Sequence, residues 1–225
     1  MVESFGFIID ALPVLLAGAC VTLVLTAAAT IFGSIGGTAL GVARLSKVPI
    51  LRLLARIYVD FFRGTPLLVQ LLIIYFGLPP LLKSVGVDFS LSKGAAAVLG
   101  LSLNSAAYLA EIVRAGIQSI EAGQKEASES LGLSQGQTMR YVVFPQALRR
   151  MIPPLGNEFI ILLKDTSLVT VIGFQELLNQ GRLTVATNFR AFEIYITVAL
   201  IYLVMTVAAS QVFSWLERKT NPTTS

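Results

Sequence analysis

The sequence predicts an all-α membrane protein with five membrane-spanning helices. Three observations carry that prediction. Only 13% of the 225 residues are charged and 55% are hydrophobic, with a mean hydropathy of +0.76. A soluble domain carries about 25% charged residues, so this chain has too few to coat a surface facing water. Uncharged apolar stretches recur at lengths that cross a bilayer, for which about 17–25 residues are needed. The basic residues are also distributed unevenly between the stretches that connect them.

The first expected span runs from Ala11 to Ala43 without a charge. The preceding Met1–Asp10 holds Glu3 and Asp10 and no basic residue, so it lacks the positive start of a cleaved signal. The second span is expected from Gly64 to Leu82, and the third from Gly94 to Ala110. The fourth, Met151 to Phe174, is unusual in carrying Glu158, Lys164 and Asp165. Pro153 and Pro154 are expected in its first turn, where a missing N–H costs little. The fifth runs from Ile194 to Leu216.

Five spans put the termini on opposite sides. Of the 17 Lys and Arg residues, 12 fall on one side, four on the other, and Lys164 lies inside a span. The excess marks the cytoplasm, which predicts an outside N-terminus and a cytoplasmic C-terminus. The chain reads as one transmembrane domain, 1–225, with a polar cytoplasmic loop at about 119–150. That loop is too long for a turn, and long structured loops usually carry function.

Several chemistries are excluded. There is no histidine and a single cysteine, Cys20, so His-ligated metal, Ser-His-Asp catalysis and an internal disulfide are absent. No Gly-x4-Gly-Lys-Ser/Thr stretch exists to cradle ATP. The chain is expected to bind no cofactor or metal and to be no enzyme by itself.

The charged fourth span is the main functional signal. Asn157 and Lys164 are seven residues apart, as are Glu158 and Asp165, so each pair shares one helix face. Ionisable residues in a span usually face a bundle interior or an aqueous cavity. One cation with two anions matches a zwitterion; an internal ion pair joining helices is the competing reading. On the third span Asn104, Tyr108 and Glu111 form a polar stripe, with Asn104 either contacting a solute or hydrogen-bonding a neighbouring helix. Glu111 and Arg114 read as an i,i+3 pair. Gly33, Gly37 and Gly41 make a smooth face for close packing, within the chain or against a second copy.

The cytoplasmic loop carries a spaced pattern: Glu126-Ala127-Ser128, three residues, Gly132, nine residues, then Val142-Val143-Phe144-Pro145. This resembles the EAA signature of binding-protein-dependent ABC importer permeases (Glu-Ala-Ala, three residues, Gly, nine residues, Ile-x-Leu-Pro), with Ser128, Val142 and Phe144 as the departures. The stretches Asp60–Leu67, Ala107–Ile112, Pro145–Arg150, Pro154–Phe159 and Leu163–Leu168 are similar to the polar amino acid branch, the histidine, glutamine and arginine type.

The resemblance implies a type I importer fold in a bacterial inner or plasma membrane. It implies that Glu126, Ala127, Ser128, Gly132 and Pro145 belong to a helix–turn–helix coupling to the ATPase. The implied partners are two cytoplasmic ATPase subunits carrying ATP and Mg, a second permease subunit (identical or related) and an extracytoplasmic amino acid-binding protein. The outer stretches Lys83–Lys93 and Glu176–Glu193 would receive that protein. No nucleic acid is implied. Asn104, Glu158, Lys164 and Asp165 become the substrate-site candidates: Lys164 for the α-carboxylate, Asp165 for the α-ammonium, and Glu158 for a cationic side chain such as that of Arg, Lys or His. A stand-alone channel or secondary transporter of a small zwitterion is the alternative from a different class, and a structural anchor a third; an anchor gains nothing from charges in a span.

Overall fold

The computed structural model describes residues 2–220, and among these there are helices, turns and short connections but no strand. Helix α1 is a single rod, Val2–Arg44. At about 1.5 Å per residue it is about 64 Å long, roughly twice the hydrocarbon thickness, so it tilts or projects beyond the bilayer. A short turn leads into α2, Pro49–Gly64, with Pro49 in its first turn. The chain breaks at Thr65-Pro66 and restarts as α3, Leu67–Leu72, which continues through a π-turn at Ile73–Gly77 into α4, Leu78–Ser84. Helix α5, Lys93–Gln118, is capped by Ser92, whose hydroxyl accepts from the Ala95 amide at 3.2 Å.

Helix α6 is Ala122–Ser130 and α7 is Gln135–Gln137. A π-turn, Thr138–Val143, joins α7 to α8, Phe144–Asp165. A 3-10 stretch, Thr166–Ile172, follows, then α9, Leu177–Asn188, and α10, Ala191–Thr220.

Among the described residues, four stretches are long and apolar enough to cross a membrane: Gly6–Arg44, Leu67–Ser84, Lys93–Gln118 and Ala191–Thr220. They match the first, second, third and fifth expected spans. The expected fourth differs. Helix α8 begins at Phe144 rather than near Met151, and its helical part ends at Asp165. Pro153 and Pro154 consequently sit inside the helix, not in its first turn. The earlier start has a packing cause: Val143, Ala147 and Met151 are buried with Val113, Ile117 and Ile120 of the α5 end. That apolar contact outweighs the two backbone bonds the prolines forgo, and Arg149 and Arg150, whose carbonyls lose those bonds, are exposed.

Helix α5 is the central post, with α1 laid along it. The glycine face of α1 makes this possible. A Cβ on Gly37 would stand 2.6 Å from Leu109 Cβ, and one on Gly41 2.8 Å from the Ala110 carbonyl. The small-residue stripe is thus used within the chain. Arg44 at the end of α1 and Arg114 both pair with Glu111, so the expected i,i+3 pair is present and a third charge joins it.

Helix α9, expected as an outer loop, is packed instead. Its N-cap Glu176 is fully buried and accepts from the amides of Leu178 (2.8 Å) and Asn179 (2.7 Å) and from the Tyr202 hydroxyl (2.9 Å). The tyrosine bond anchors the start of α9 to α10.

Candidate functional site

Two apolar clusters lie along α5. One gathers Leu67, Leu71, Ala97, Leu101, Leu162 and Val169; the other gathers Val113, Ile117, Ala147 and Met151. Between them, near the middle of α5, is a polar cavity of about 540 Å³. Its walls are Arg63, the Gly64-Thr65-Pro66-Leu67 break, Asn104 and Tyr108 of α5, and Glu158, Ile161, Asp165 and Leu168.

The helix break is held by side chains. Gln70 Nε2 donates to the Phe62 carbonyl at 2.9 Å, the Thr65 carbonyl at 3.0 Å and Thr65 Oγ1 at 2.9 Å. Asn104 Nδ2 donates to Gln70 Oε1 at 2.9 Å and lies 3.4 Å from the Phe62 carbonyl. Asn104 therefore does what the competing sequence reading described, a hydrogen bond between helices, while also lining the cavity. Its amide nitrogen serves the protein, which leaves Oδ1 as its acceptor for anything else.

The structure brings Asn104, Glu158 and Asp165 together but not Lys164. Glu158 is 8% exposed and Asp165 half-buried, whereas Lys164 is exposed and lies among Ser167, Tyr202 and Thr206 on another side of the helix. One residue along an α-helix is about 100° of rotation, and with Glu158 and Asp165 at the cavity that rotation turns Lys164 towards the Tyr202 side of the helix. Lys164 makes no ion pair with Glu158 or Asp165 among the described residues, so the ion pair weighed from sequence is not formed either.

The cation at the cavity is Arg63, with its guanidinium carbon 5.4 Å from the Tyr108 ring centroid. Stacking on a ring holds the planar group while leaving its edge free for a carboxylate. Sequence reading placed Arg63 among the cytoplasmic basic residues and in the family-like stretch Asp60–Leu67, but not among the substrate-site candidates. Its position directly before Gly64-Thr65-Pro66, a helix-breaking stretch, is the signal that marked it.

A helix end adds a second polarity. The Leu67–Ser84 helix points its N-terminus into the cavity, and its cap residue Pro66 gives no side-chain bond. The free amides there favour an anion. At Asp165 helix α8 passes directly into the 3-10 stretch, so the negative charge on this wall is that of the Glu158 and Asp165 side chains. Positive groups thus line one wall of the cavity and negative groups another.

The 119–150 stretch forms the expected helix–turn–helix. Gly132 has φ +86° and closes α6 in a Schellman turn: its amide donates to the Glu129 carbonyl at 2.9 Å, and the Leu133 amide donates to Ser128 at 3.1 Å. Glu126, Ala127, Gly132 and Pro145 are exposed, whereas Ser128 is buried and its hydroxyl bonds Thr138 Oγ1 at 3.0 Å. The serine departure from the signature therefore ties α6 to the following helix. Leu131, 84% exposed at the tip, is an apolar residue that sequence reading passed over.

Comparison with known proteins gives concordant matches. Residues 29–222 match the family described as binding-protein-dependent transport system inner membrane component. The chain is 43% identical to the probable amino-acid permease protein YxeN of Bacillus subtilis, over 96% of this chain and 95% of that one. It is 44% identical to the glutamine transport system permease protein GlnP of Escherichia coli K12, over 93% and 94%. The crystal structure of an amino acid ABC transporter with histidines superposes with a TM-score of 0.87 at 42% identity, covering 94% of this chain and 96% of that one.

Proposed function

From the premise that the chain belongs to the binding-protein-dependent transport system inner membrane component family, we propose that it forms the translocation path of an ATP-driven importer of polar amino acids. It is an inner-membrane permease subunit of amino-acid ABC transport, as its family and relatives are.

The observation that carries the substrate class is the charge separation across the 540 Å³ cavity. Arg63 and the amides at Leu67 suit an α-carboxylate. The Asp165 carboxylate suits an α-ammonium. A helix N-terminus at a break beside a polar cavity is the expected setting for a substrate carboxylate in a transporter. Glu158 remains for the substrate's side chain, and its carboxylate favours N–H donors, cationic side chains (Arg, Lys, His) foremost. Lys164, on another face, stands outside this assignment.

Transport proceeds by alternating access, driven from the 119–150 loop. With the N-terminus outside and the C-terminus in the cytoplasm, α6 docks on the ATPase subunit. Glu126, Ala127 and Leu131 present the contact, while Ser128 and Gly132 keep the turn rigid. Closure of two ATPase subunits on ATP and Mg pushes α6 and the α7–α8 rod, which carries Glu158 and Asp165 at its far end. A second permease subunit and an extracytoplasmic amino acid-binding protein complete the assembly.

Reconstitution with the ATPase and binding protein in liposomes tests the proposal. Polar amino acids should stimulate ATP hydrolysis and enter with it. Stimulation by none of them would reject the substrate class, and uptake by the isolated chain without ATP would reject the mechanism.

A further inference from the structure

Gly64 is the last residue of α2 and borders the polar cavity between Arg63 and Thr65. Glycine is a poorer helix former than alanine. Two needs usually justify it: a left-handed backbone, or the close approach of another segment. Neither applies here. The glycines with positive φ are Gly86, Gly132 and Gly173. The chain leaves the helix at Thr65, which is extended at φ −122° and needs no glycine before it. At Gly37, Gly100, Gly116 and Gly156 an added Cβ would stand 2.5–2.7 Å from a neighbouring side chain, so packing requires the small residue. An added Cβ at Gly64 would meet no protein atom within 4 Å. The room beside Gly64 therefore serves neither the backbone nor a neighbouring helix, and Gly64 lies on the wall of the cavity.

Resting on the amino acid reading above, we propose that Gly64 is a substrate-contact residue: its missing side chain keeps open the place where the main-chain end of the amino acid lies against α2. The position in the chain says which end. The adjoining Arg63 is the group assigned to the α-carboxylate, whereas Glu158, assigned to the side chain, belongs to α8. Every amino acid carries the same carboxylate and Cα. A Cβ at position 64 consequently obstructs all of them alike, whatever their side chains. The room at Gly64 sets how closely the carboxylate approaches Arg63, and side-chain selection is left to the Glu158 wall.

The test uses the purified permease–ATPase complex, its melting temperature and calorimetric binding of L-arginine, L-glutamine and L-serine. Gly64→Ala adds one methyl group and favours the helix, so the melting temperature should hold or rise. Binding of all three ligands should weaken together, roughly tenfold, because the methyl group overpacks an occupied site. Gly64→Leu, which fills more of the room, should weaken it further, again without a lower melting temperature. Gly37→Ala is the control: its Cβ would stand 2.6 Å from Leu109 Cβ, so the melting temperature should fall. Unchanged binding in Gly64→Ala overturns the proposal. So does a melting temperature that falls with the binding, which would make this glycine structural. Loss for arginine and glutamine but not serine would give the room to the side chain, and overturns it too. Asp165→Asn separates the two levels. If it weakens all three ligands while Gly64→Ala weakens none, only the Gly64 assignment fails; if Asp165→Asn weakens none, the underlying reading fails.

Discussion

Asn104 on α5 donates to Gln70 on α3 at 2.9 Å, and Gln70 in turn clamps the Phe62 and Thr65 carbonyls across the break between two helices. A residue in the middle of one span thereby fixes the irregular backbone of another. Non-helical backbone at membrane depth persists only where protein groups satisfy it or where it lines an aqueous space. Here side chains satisfy the break, and it borders the polar cavity.

Replacing Gln70 by Leu should strand the carbonyls it serves, costing about 1–3 kcal/mol. The melting temperature of the detergent-purified protein should fall. Asn104→Leu should do the same, and the double variant should cost less than the two together, because one network is broken twice. Simple additivity would show that the two amides act independently.

Arg63→Met and Lys164→Met discriminate between the two candidate cations. A charge-assisted hydrogen bond is worth about 1.5–3 kcal/mol, so losing Arg63 should weaken amino acid binding roughly ten- to hundredfold. Lys164→Met should change it less than about threefold, as for a charge outside the site. The reverse order in calorimetry would return the carboxylate to Lys164.

Glu158→Gln keeps shape and hydrogen-bonding capacity but removes the negative charge. Uptake of arginine or lysine should fall far more than that of glutamine. Equal loss for charged and neutral substrates in liposome uptake would sink the side-chain role of Glu158.

Gly37→Leu should separate α1 from α5. Even a Cβ there would stand 2.6 Å from Leu109 Cβ, and overpacking costs about 1–3 kcal/mol or more. Gly123→Ala, where nothing lies within 4 Å, should leave stability unchanged or improve it. Thermal melting of both variants measures the contrast.

Gly132→Val places a branched residue at φ +86°, a strain of about 1–2 kcal/mol. Amino acid binding should persist while substrate-stimulated ATP hydrolysis drops severalfold. Leu131→Ser, which leaves the turn intact, should reproduce the uncoupling. Unaltered stimulated hydrolysis in Leu131→Ser would remove that residue from the docking surface.

The sequence alone determined the solvent, the helical class and the helix–turn–helix around Gly132. Scarcity of charge, lengths of apolar stretches and the spacing from Glu126 to Pro145 are local or periodic properties, and local properties are readable in one dimension. The i,i+7 relation between Glu158 and Asp165 was legible for the same reason, as was the close-packing face of Gly33, Gly37 and Gly41.

Tertiary structure decided which faces meet. Periodicity says that Lys164 and Asp165 lie on different faces but not which one borders the cavity; α8 is rotated so that Glu158 and Asp165 face inward and Lys164 is exposed. Arg63 reaches the site from a segment about a hundred residues away. The early start of α8 also depends on a partner, the apolar end of α5. A sequence states what each side chain offers; the packing of distant helices determines what it is offered to.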